Sequence, residues 1–302
     1  MRWLELTVEA DVEAVEAVSE ILGRVAAGTI VQPASLIRDP ANELLAHEDP
    51  AAGYTVIAHI REEPGATAAV EATERALWHI QAFGLRAVGP LQVRAVADED
   101  WAEAWKEHYV PQRVGRLVVV PSWASKPLAP GEIAITLDPG MAFGTGLHPT
   151  TRGCLRLLQA VEPMPATALD VGCGSGILAL AALRLGAERA VGIDTDPLAV
   201  EATLANAERN GLADRLVATV ATLPATPGGP YPLVLANLVA AVLVDLAPRL
   251  AAHLARGGIL LASGIIEPKA GAVLAAMDGA GLAVVSRHDD GEWVTLRLEH
   301  RA

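Results

Sequence analysis

Three glycines at alternate positions mark the stretch of the chain best suited to chemistry. Residues 169–178 read Leu-Asp-Val-Gly-Cys-Gly-Ser-Gly-Ile-Leu, so that Gly172, Gly174 and Gly176 follow the acidic Asp170. Glycine lets the backbone approach a ligand that a Cβ would exclude, and a helix that begins after the turn offers free N–H groups. The residue types and their order therefore predict a turn that binds the phosphate or nucleoside part of a ligand.

A strand and a helix must position this turn. Thr167–Val171 is typical of a short buried strand, and the apolar residues of Ile177–Leu185 have helical spacing. A second strand is predicted over Arg189–Ile193 and ends at Asp194, where a doubly wound sheet places a carboxylate that accepts from two ribose hydroxyls. The third glycine comes one residue earlier than in the dinucleotide fingerprint. We expect a Rossmann-like α/β sheet with a nucleoside site, the alternative being a turn that only packs helix on strand.

A second unusual stretch covers residues 138–151 and reads Asp-Pro-Gly-Met-Ala-Phe-Gly-Thr-Gly-Leu-His-Pro-Thr-Thr. Its glycines and prolines exclude a regular helix or a central strand. It nevertheless contains Phe143, an apolar side chain that a plain surface loop does not need. We predict a loop that folds over a bound nucleoside, followed by a helix over Arg152–Gln159 that is capped by Thr150 or Thr151.

These motifs resemble those of known methyltransferases. The Asp-x-Gly-x-Gly-x-Gly run with its downstream acid is similar to that of the class I S-adenosylmethionine-dependent methyltransferases, and residues 138–151 narrow the resemblance to the ribosomal protein L11 methyltransferases, the PrmA family. The family pattern continues through Gly192–Pro197, Asn206–Gly211 and Ala236–Ala240. The resemblance covers essentially the whole chain and implies an acidic substrate domain, a helical linker and a methyltransferase domain.

The resemblance also implies a reaction. S-adenosyl-L-methionine would be the methyl donor and S-adenosyl-L-homocysteine its product, and the basic ribosomal protein L11 would be the acceptor. The family's cofactor contacts fall on Thr151, Gly172, Asp194 and Asn237, and Asn237 is also our own candidate for the catalytic residue. To these contacts the predicted cofactor site adds Gly174 and Gly176 of the turn and Phe143, Gly144 and Thr145 of the loop. No metal site is expected.

Asn237 stands where methyltransferases that act on bases or on glutamine carry Asn-Pro-Pro-Tyr. It follows a strand predicted over Pro232–Ala236, and the next residues are Leu238, Val239 and Ala240. Without an aromatic ring there is no platform for stacking a planar substrate, which favours an aliphatic amine over a flipped base. Our hypothesis is that the side-chain oxygen of Asn237 aligns a lysine or N-terminal amine and stabilises its developing positive charge.

Two further residues of the motifs have competing interpretations. His148 is a candidate general base because it is the one histidine inside a motif. The spacing of the sequence gives it no partner carboxylate, so we favour a structural or loop-positioning role. Asp196 precedes Pro197, and proline is favoured at the first helical position. We therefore predict that Asp196 caps a helix and that Asp194 binds the ribose.

The N-terminal part of the chain alternates between strand and helix patterns. Strands are predicted over residues 2–8, 29–32, 54–60 and 91–97, helices over 11–25 and 66–83, with Asp11 as an N-cap and a loop between residues 33 and 53. This order is that of a ferredoxin-like domain. We predict a ferredoxin-like substrate-recognition domain over residues 1–97, a linker with a short helix over 98–115, and a methyltransferase domain with an antiparallel terminal hairpin over 116–302.

The charge of the chain is concentrated in its first part. Of 302 residues with net charge −13, residues 1–110 contain 19 acidic and 8 basic residues, a balance of −11, and residues 111–302 contain 17 and 15, a balance of −2. An acidic domain repels nucleic-acid phosphates and attracts a basic partner, the alternative being that these acids are only the solvated faces of helices. The chain has no signal-peptide pattern and no membrane-length apolar run, and Cys154 and Cys173 lack metal or disulfide spacing.

We expect from these features a cytoplasmic, monomeric enzyme that binds neither membranes nor, tightly, nucleic acids. Two alternatives stay open. One is an amino-methyltransferase that acts on nucleic acid or on another protein, and the other is a non-enzymatic binding module.

Overall fold

The computed structural model describes residues 2–11, 14–26, 29–33, 36–39, 42–48, 53–82, 88–97, 111–124, 127–138, 148–223 and 228–301. It forms two compact units, Met1–Pro111 and Gln112–Ala302. The helix predicted in the linker, with Trp101 and Trp105, lies outside the described residues. The division of the chain into residues 1–97, 98–115 and 116–302 stays a prediction.

The first unit is built on a four-stranded antiparallel sheet. Its elements are β1 (Arg2–Ala10), α1 (Val15–Gly23), β2 (Thr29–Pro33), β3 (Leu36–Asp39), β4 (Asn42–Glu48), β5 (Tyr54–Arg61), α2 (Ala66–Ala82) and β6 (Gln92–Ala97). The strand order is β2-β5-β1-β6. Apart from the β3–β4 hairpin, the elements follow the β-α-β-β-α-β order that the sequence predicts.

Two local predictions for this unit were wrong. The region predicted as a loop contains the antiparallel hairpin β3–β4, because its prolines fall at strand ends and between strands rather than inside them. Helix α1 begins at Val15 with Ala14 as its N-cap, and the Asp11 carbonyl accepts from the N–H groups of Ala14 and Val15. A backbone turn therefore stands where a side-chain cap at Asp11 was predicted.

The second unit contains the large sheet that positions the candidate site. Its elements are β7 (Gln112–Val114), β8 (Leu117–Pro121), β9 (Ile133–Leu137), α3 (Pro149–Gln159), β10 (Thr167–Val171), α4 (Ile177–Leu185), β11 (Arg189–Asp194), α5 (Pro197–Arg209), β12 (Leu216–Val220), β13 (Tyr231–Asn237), α6 (Ala240–His253), β14 (Leu254–Ile266), α7 (Glu267–Gly279), β15 (Leu282–Asp290) and β16 (Trp293–His300). Strands β7, β8 and β9 form a separate three-stranded sheet.

The large sheet has the strand order β12-β11-β10-β13-β14-β16-β15. Strands β12 to β14 run parallel, and β16 runs antiparallel to both of its neighbours. This confirms the predicted doubly wound sheet with an antiparallel terminal hairpin. The chain order reverses between β10 and β13, and ligands of such sheets bind at the carboxyl ends of the strands that flank this switch point.

Helices cover both faces of the large sheet. Along β10, Ala168 belongs to the apolar core that includes α3, α4 and α5, whereas Leu169 belongs to the core that includes α6 and α7. Four consecutive residues of β10, Ala168–Val171, are buried, because helices cover both of its side-chain directions. Among the described residues, the structure holds no helix with the length and apolar character needed to cross a membrane.

Candidate functional site

The predicted glycine turn joins the end of β10 to the start of α4. Gly172, Gly174 and Gly176 have φ angles of 71°, 53° and 80°, a left-handed region that side chains rarely adopt. The N–H groups of Gly172 and Cys173 both donate to the carbonyl of Ile193, at 2.8 and 3.0 Å. The turn is therefore fixed to the end of β11, beside Asp194, the residue that is predicted to bind the ribose.

Close packing gives a second reason for glycine in this turn. A Cβ added to Gly172 would overlap with Leu238 Cδ2, and one added to Gly176 would lie 2.9 Å from Thr203 Cγ2. Leu238 directly follows the last residue of β13. The turn thus packs against Leu238, next to the end of β13, and against Thr203 of α5, so there is no room for a side chain at Gly172 or Gly176.

Asp194 is the last residue of β11 and is held by two backbone groups. Its Oδ2 accepts from the N–H of Gly174 and its Oδ1 from the N–H of Asp196, both at 3.0 Å. A carboxylate has about four acceptor positions, so both oxygens can still accept from ligand hydroxyls. Asp196 Oδ1 accepts from the N–H of Leu198 at 2.9 Å, and Pro197 is the first residue of α5. The prediction that Asp196 is the helix cap is confirmed.

Asp170 is an anchor that the sequence analysis did not assign. Its buried Oδ2 accepts from the N–H of Ala179, in the first turn of α4, at 3.0 Å, and Oδ1 has no hydrogen-bond partner among the described residues. Burial, and to a lesser degree the charge of Asp194, raises the pKa of Asp170 well above its ordinary value, although the Ala179 hydrogen bond opposes this. The side chain ties α4 to β10 behind the glycine turn.

The structure brings Asn237 and Thr151 together, although 86 positions separate them in the sequence. Asn237 is the last residue of β13, and Thr151 lies in the first turn of α3. Asn237 Nδ2 donates to Thr151 Oγ1 at 3.3 Å. Thr151 is fully buried and Asn237 is partly exposed. Asn237 therefore lies at the carboxyl end of the central strand β13, and the Nδ2 atom of its carboxamide already has a hydrogen-bond partner.

His148 is the N-cap of α3, which corrects the prediction that Thr150 or Thr151 caps this helix. Its Nδ1 accepts from the N–H of Thr150 at 3.4 Å and lies 2.8 Å from Thr150 Oγ1, and Pro149 is the first residue of the helix. Burial, reinforced by the charge of Arg152, lowers the pKa of His148 to about 3. The neutral ring is a hydrogen-bond acceptor and is too weak a base to deprotonate an alkylammonium group.

Two buried asparagines, Asn206 in α5 and Asn210 directly after its last residue, complete the support of the site. Asn206 Nδ2 donates to the Ser175 carbonyl at 2.9 Å, and Asn206 Oδ1 accepts from the N–H of Asp138 at 3.0 Å. Asn210 bonds both backbone groups of Thr136, at 3.0 and 2.6 Å. Sequence analysis recorded this segment only as part of a family resemblance, although two asparagines one helical turn apart were the available signal. They join the end of β9 to the glycine turn.

Some predicted site residues cannot be located. Phe143, Gly144 and Thr145 lie outside the described residues, and their cofactor contacts stay predictions. Within the described ranges, no group of three or more His, Cys, Asp or Glu side chains could hold a metal ion.

Comparison with known proteins identifies the family. A sequence model described as "Ribosomal protein L11 methyltransferase (PrmA)" matches residues 2–301. The chain belongs to the ribosomal protein L11 methyltransferase (PrmA) family. A PrmA family protein of Chloroflexus aurantiacus, named ribosomal protein L11 methyltransferase, is 42% identical and aligns over 97% of each chain. One of the same name from Pelotomaculum thermopropionicum is 41% identical over 100% of each chain.

A solved structure agrees with this assignment. The crystal structure of a ribosomal protein L11 methylase from Lactobacillus delbrueckii subsp. bulgaricus has a TM-score of 0.61 and 31% identity, and its match covers 64% of this chain and 100% of that chain. The resemblance to the PrmA family that the sequence motifs indicate is thus confirmed, together with the class I methyltransferase fold.

Proposed function

We propose that this protein transfers methyl groups from S-adenosylmethionine to amino groups of ribosomal protein L11, either lysine side chains or the N-terminal α-amine or both. One observation carries the proposal. The glycine turn, Asp194 and Asn237 lie at the carboxyl ends of the adjacent strands β10, β11 and β13. Membership in a family named for this reaction supplies the acceptor.

The residues at these strand ends fit S-adenosylmethionine. Asp194 has acceptor capacity left for the two ribose hydroxyls, and Gly172 and Gly174 of the turn are partly exposed and carry no side chain, so the backbone there can approach a nucleoside. Thr151 and Asn237 would contact the same ligand, as would Phe143, Gly144 and Thr145, which were predicted from the loop. When bound, the ligand supplies an electrophilic methyl group on a sulfonium sulfur and leaves as S-adenosylhomocysteine.

Asn237 is proposed to orient the acceptor amine. Because its Nδ2 donates to Thr151 Oγ1, its Oδ1 is the atom that can accept a hydrogen bond from the amine and stabilise the charge that develops on nitrogen. The amine must be neutral to attack, and its pKa in water is about 10.4 for lysine and about 8 for an α-amine. Apolar surroundings would lower that pKa by penalising the charged form.

The acidic first part of the chain is proposed to recognise the substrate. Residues 1–97 would bind L11, residues 98–115 would link the domains, and residues 116–302 would carry out the transfer. The charge balance of −11 over residues 1–110 supports this assignment, because it complements a basic protein. We further propose that the enzyme acts as a monomer in the cytoplasm, on a substrate made there.

Transfer of a radioactive methyl group tests the proposal. The protein is incubated with methyl-labelled S-adenosylmethionine and, separately, with L11, ribosomal RNA and an unrelated lysine-rich protein. We expect label in L11 alone. Label in RNA would support a nucleic-acid methyltransferase instead, and no label in any acceptor, with cofactor binding intact, would refute the assignment of L11 as substrate.

A further inference from the structure

The first turn of α3 contacts the tip of the terminal hairpin β15–β16. The rings of His148 and Trp293 meet edge to face, with centroids 4.6 Å apart and planes at 73°. One turn further along, Arg152 donates through Nε and Nη2 to Asp290 Oδ2, at 3.2 and 3.0 Å. Asp290 ends β15 and Trp293 begins β16. The residues on either side of the hairpin turn therefore contact the N-terminal part of α3 at two places, through Trp293 and through Asp290.

A third contact lies between Gly153 and Thr295. A Cβ on Gly153 would overlap with Thr295 Oγ1, so the helix approaches β16 as closely as its backbone allows. Thr295 Oγ1 lies 2.8 Å from the buried Ser263 Oγ, and Ser263 pairs with Asn237 in the β13–β14 ladder. The hairpin thus packs against α3 and β14, which carry Thr151 and Ser263, two of the residues next to Asn237.

Thr151 lies in the first turn of α3 and links that turn to the candidate catalytic residue, Asn237. It follows Thr150, whose N–H and hydroxyl group both pair with His148 Nδ1. The hydroxyl of Thr151 accepts from Asn237 Nδ2. A carboxamide can rotate about the bond that carries it, and the hydrogen bond to a fully buried threonine selects one orientation. Anything that moves the first turn of α3 therefore changes where Asn237 Oδ1 points.

We propose that His148 is a positioning residue, which acts through the first turn of α3 and Thr151 to hold the Asn237 carboxamide in its productive orientation, with the β15–β16 hairpin as the fixed support. The proposal rests on the proposed role of Asn237. It gives the histidine of the family motif a function that does not require proton transfer. It also gives the terminal hairpin a role beyond completing the sheet.

Side-chain NMR of the free protein tests this directly. The sequence has four asparagines, Asn42, Asn206, Asn210 and Asn237, so labelling with ¹⁵N-asparagine gives few carboxamide signals. The Asn237 signal is assigned by its loss in Asn237→Ala. We expect His148→Ala to shift the Asn237 signal more than those of Asn206 and Asn210. We expect His148→Asn to restore it, because asparagine is a good N-cap.

Kinetics provide the second readout. His148→Ala is expected to lower kcat about tenfold, since small misplacements of a reacting group are costly, while KM for L11 stays within about twofold. His148→Asn should recover most of kcat. Asp290→Ala, which removes the contact of the hairpin with Arg152, should lower kcat in the same direction, and its effect should not add fully to that of His148→Ala. His253→Ala, a histidine that bonds the Arg249 carbonyl at the end of α6, is the matched control.

Three outcomes would overturn the proposal. The first is an unchanged Asn237 signal in His148→Ala, and the second is wild-type kcat in that variant. The third is a His148→Asn variant that regains the signal and remains as slow as His148→Ala, because a chemical role of the imidazole would then be required. Should His148→Ala fail to fold, the Asp290→Ala variant carries the same NMR comparison. Failure of the proposed function is recognised separately, as a wild-type protein that does not methylate L11.

Discussion

At the scale of single residues, the proposed chemistry depends on the Asn237 carboxamide. Replacement by alanine removes the acceptor that orients the amine and the donor to Thr151. We predict that Asn237→Ala lowers kcat at saturating substrates by about 100-fold, the effect typical of removing one preorganised polar contact. Thr151→Ser, which keeps the hydroxyl, is the control and should stay within about threefold. Turnover at the wild-type rate in Asn237→Ala would disprove the role.

Alanine substitutions of the neighbouring acids Asp194 and Asp196 should have different effects, because Asp194 is proposed to bind the ligand and Asp196 caps a helix. Asp194→Ala should weaken S-adenosylmethionine binding by about 10- to 100-fold, because hydrogen bonds to a charged group contribute about 1.5–3 kcal/mol. Asp196→Ala should leave this affinity unchanged and lower the free energy of unfolding by about 1 kcal/mol, through loss of the bond to the Leu198 N–H. Calorimetric titration and urea unfolding measure the two quantities. The reverse pattern would exchange the two assignments.

His148 should make the stability of the protein depend on pH. Its pKa is about 3 in the folded protein, where Arg152 and Asp290 are the charged groups that face it, and about 6.5 when unfolded. Between these values the unfolded state binds the additional proton, so stability falls as the pH falls below about 6.5. At 1.36 kcal/mol per pKa unit the loss is about 2 kcal/mol at pH 5.

This pH dependence is measured by urea unfolding at pH 7.5 and 5. His148→Asn should lose less stability than the wild type between the two conditions, because asparagine does not titrate. Equal losses in the two proteins would show that the imidazole is not kept neutral by its surroundings.

At the scale of elements, α5 is predicted to hold β9 against the glycine turn. Asn206→Ala removes the hydrogen-bond partner of the part-buried Asp138 N–H and of the buried Ser175 carbonyl. We predict a loss of about 2–3 kcal/mol in the free energy of unfolding, since each unsatisfied buried group costs about 1–3 kcal/mol. Glu208→Ala, on the exposed side of the same helix, is the control and should change stability by less than about 0.5 kcal/mol. A similar small change in Asn206→Ala would contradict this support.

Elements with a clear periodicity were predictable from sequence. The bounds of β10 and α4 agree with the prediction because the apolar pattern changes from a continuous run to helical spacing at the glycines. The hairpin β3–β4 and the start of α1 were missed, because prolines and a capping-type residue occur equally in loops and at element ends. The His148 cap was missed because histidine is not a preferred N-cap, and its hydrogen bonds to Thr150 and its contact with Trp293 are seen only in the structure.

The sequence motifs indicated candidate residues for the site, but they did not indicate the contacts between those residues. Family motifs select Asp194 and Asn237, but nothing local in the sequence pairs Asn237 with Thr151 or Asp194 with Gly174. These contacts arise from the strand order, which brings the ends of β10, β11 and β13 together. For the same reason, the buried supports Asn206 and Asp170 were visible only once the sheet had been assembled.

At the scale of the whole molecule, the uneven charge predicts how L11 binding responds to salt. If the acidic residues of positions 1–110 attract a basic substrate, raising the ionic strength from about 0.05 to about 0.5 M should raise KM for L11 about tenfold, because exposed charges are screened. The affinity for S-adenosylmethionine, measured in the same buffers, should change by less than about twofold. A KM that does not respond to salt would exclude electrostatic recognition by this part of the chain.

The central claim is methyl transfer to amines of L11, and mass spectrometry tests it most directly. Purified L11 is incubated with the protein and S-adenosylmethionine, its intact mass is measured, and its peptides are mapped, with Asn237→Ala in parallel. We expect added masses in steps of one methyl group, located on lysine side chains or on the N-terminal amine, and greatly reduced in the variant. Unmodified L11 in the presence of a protein that binds S-adenosylmethionine would contradict it.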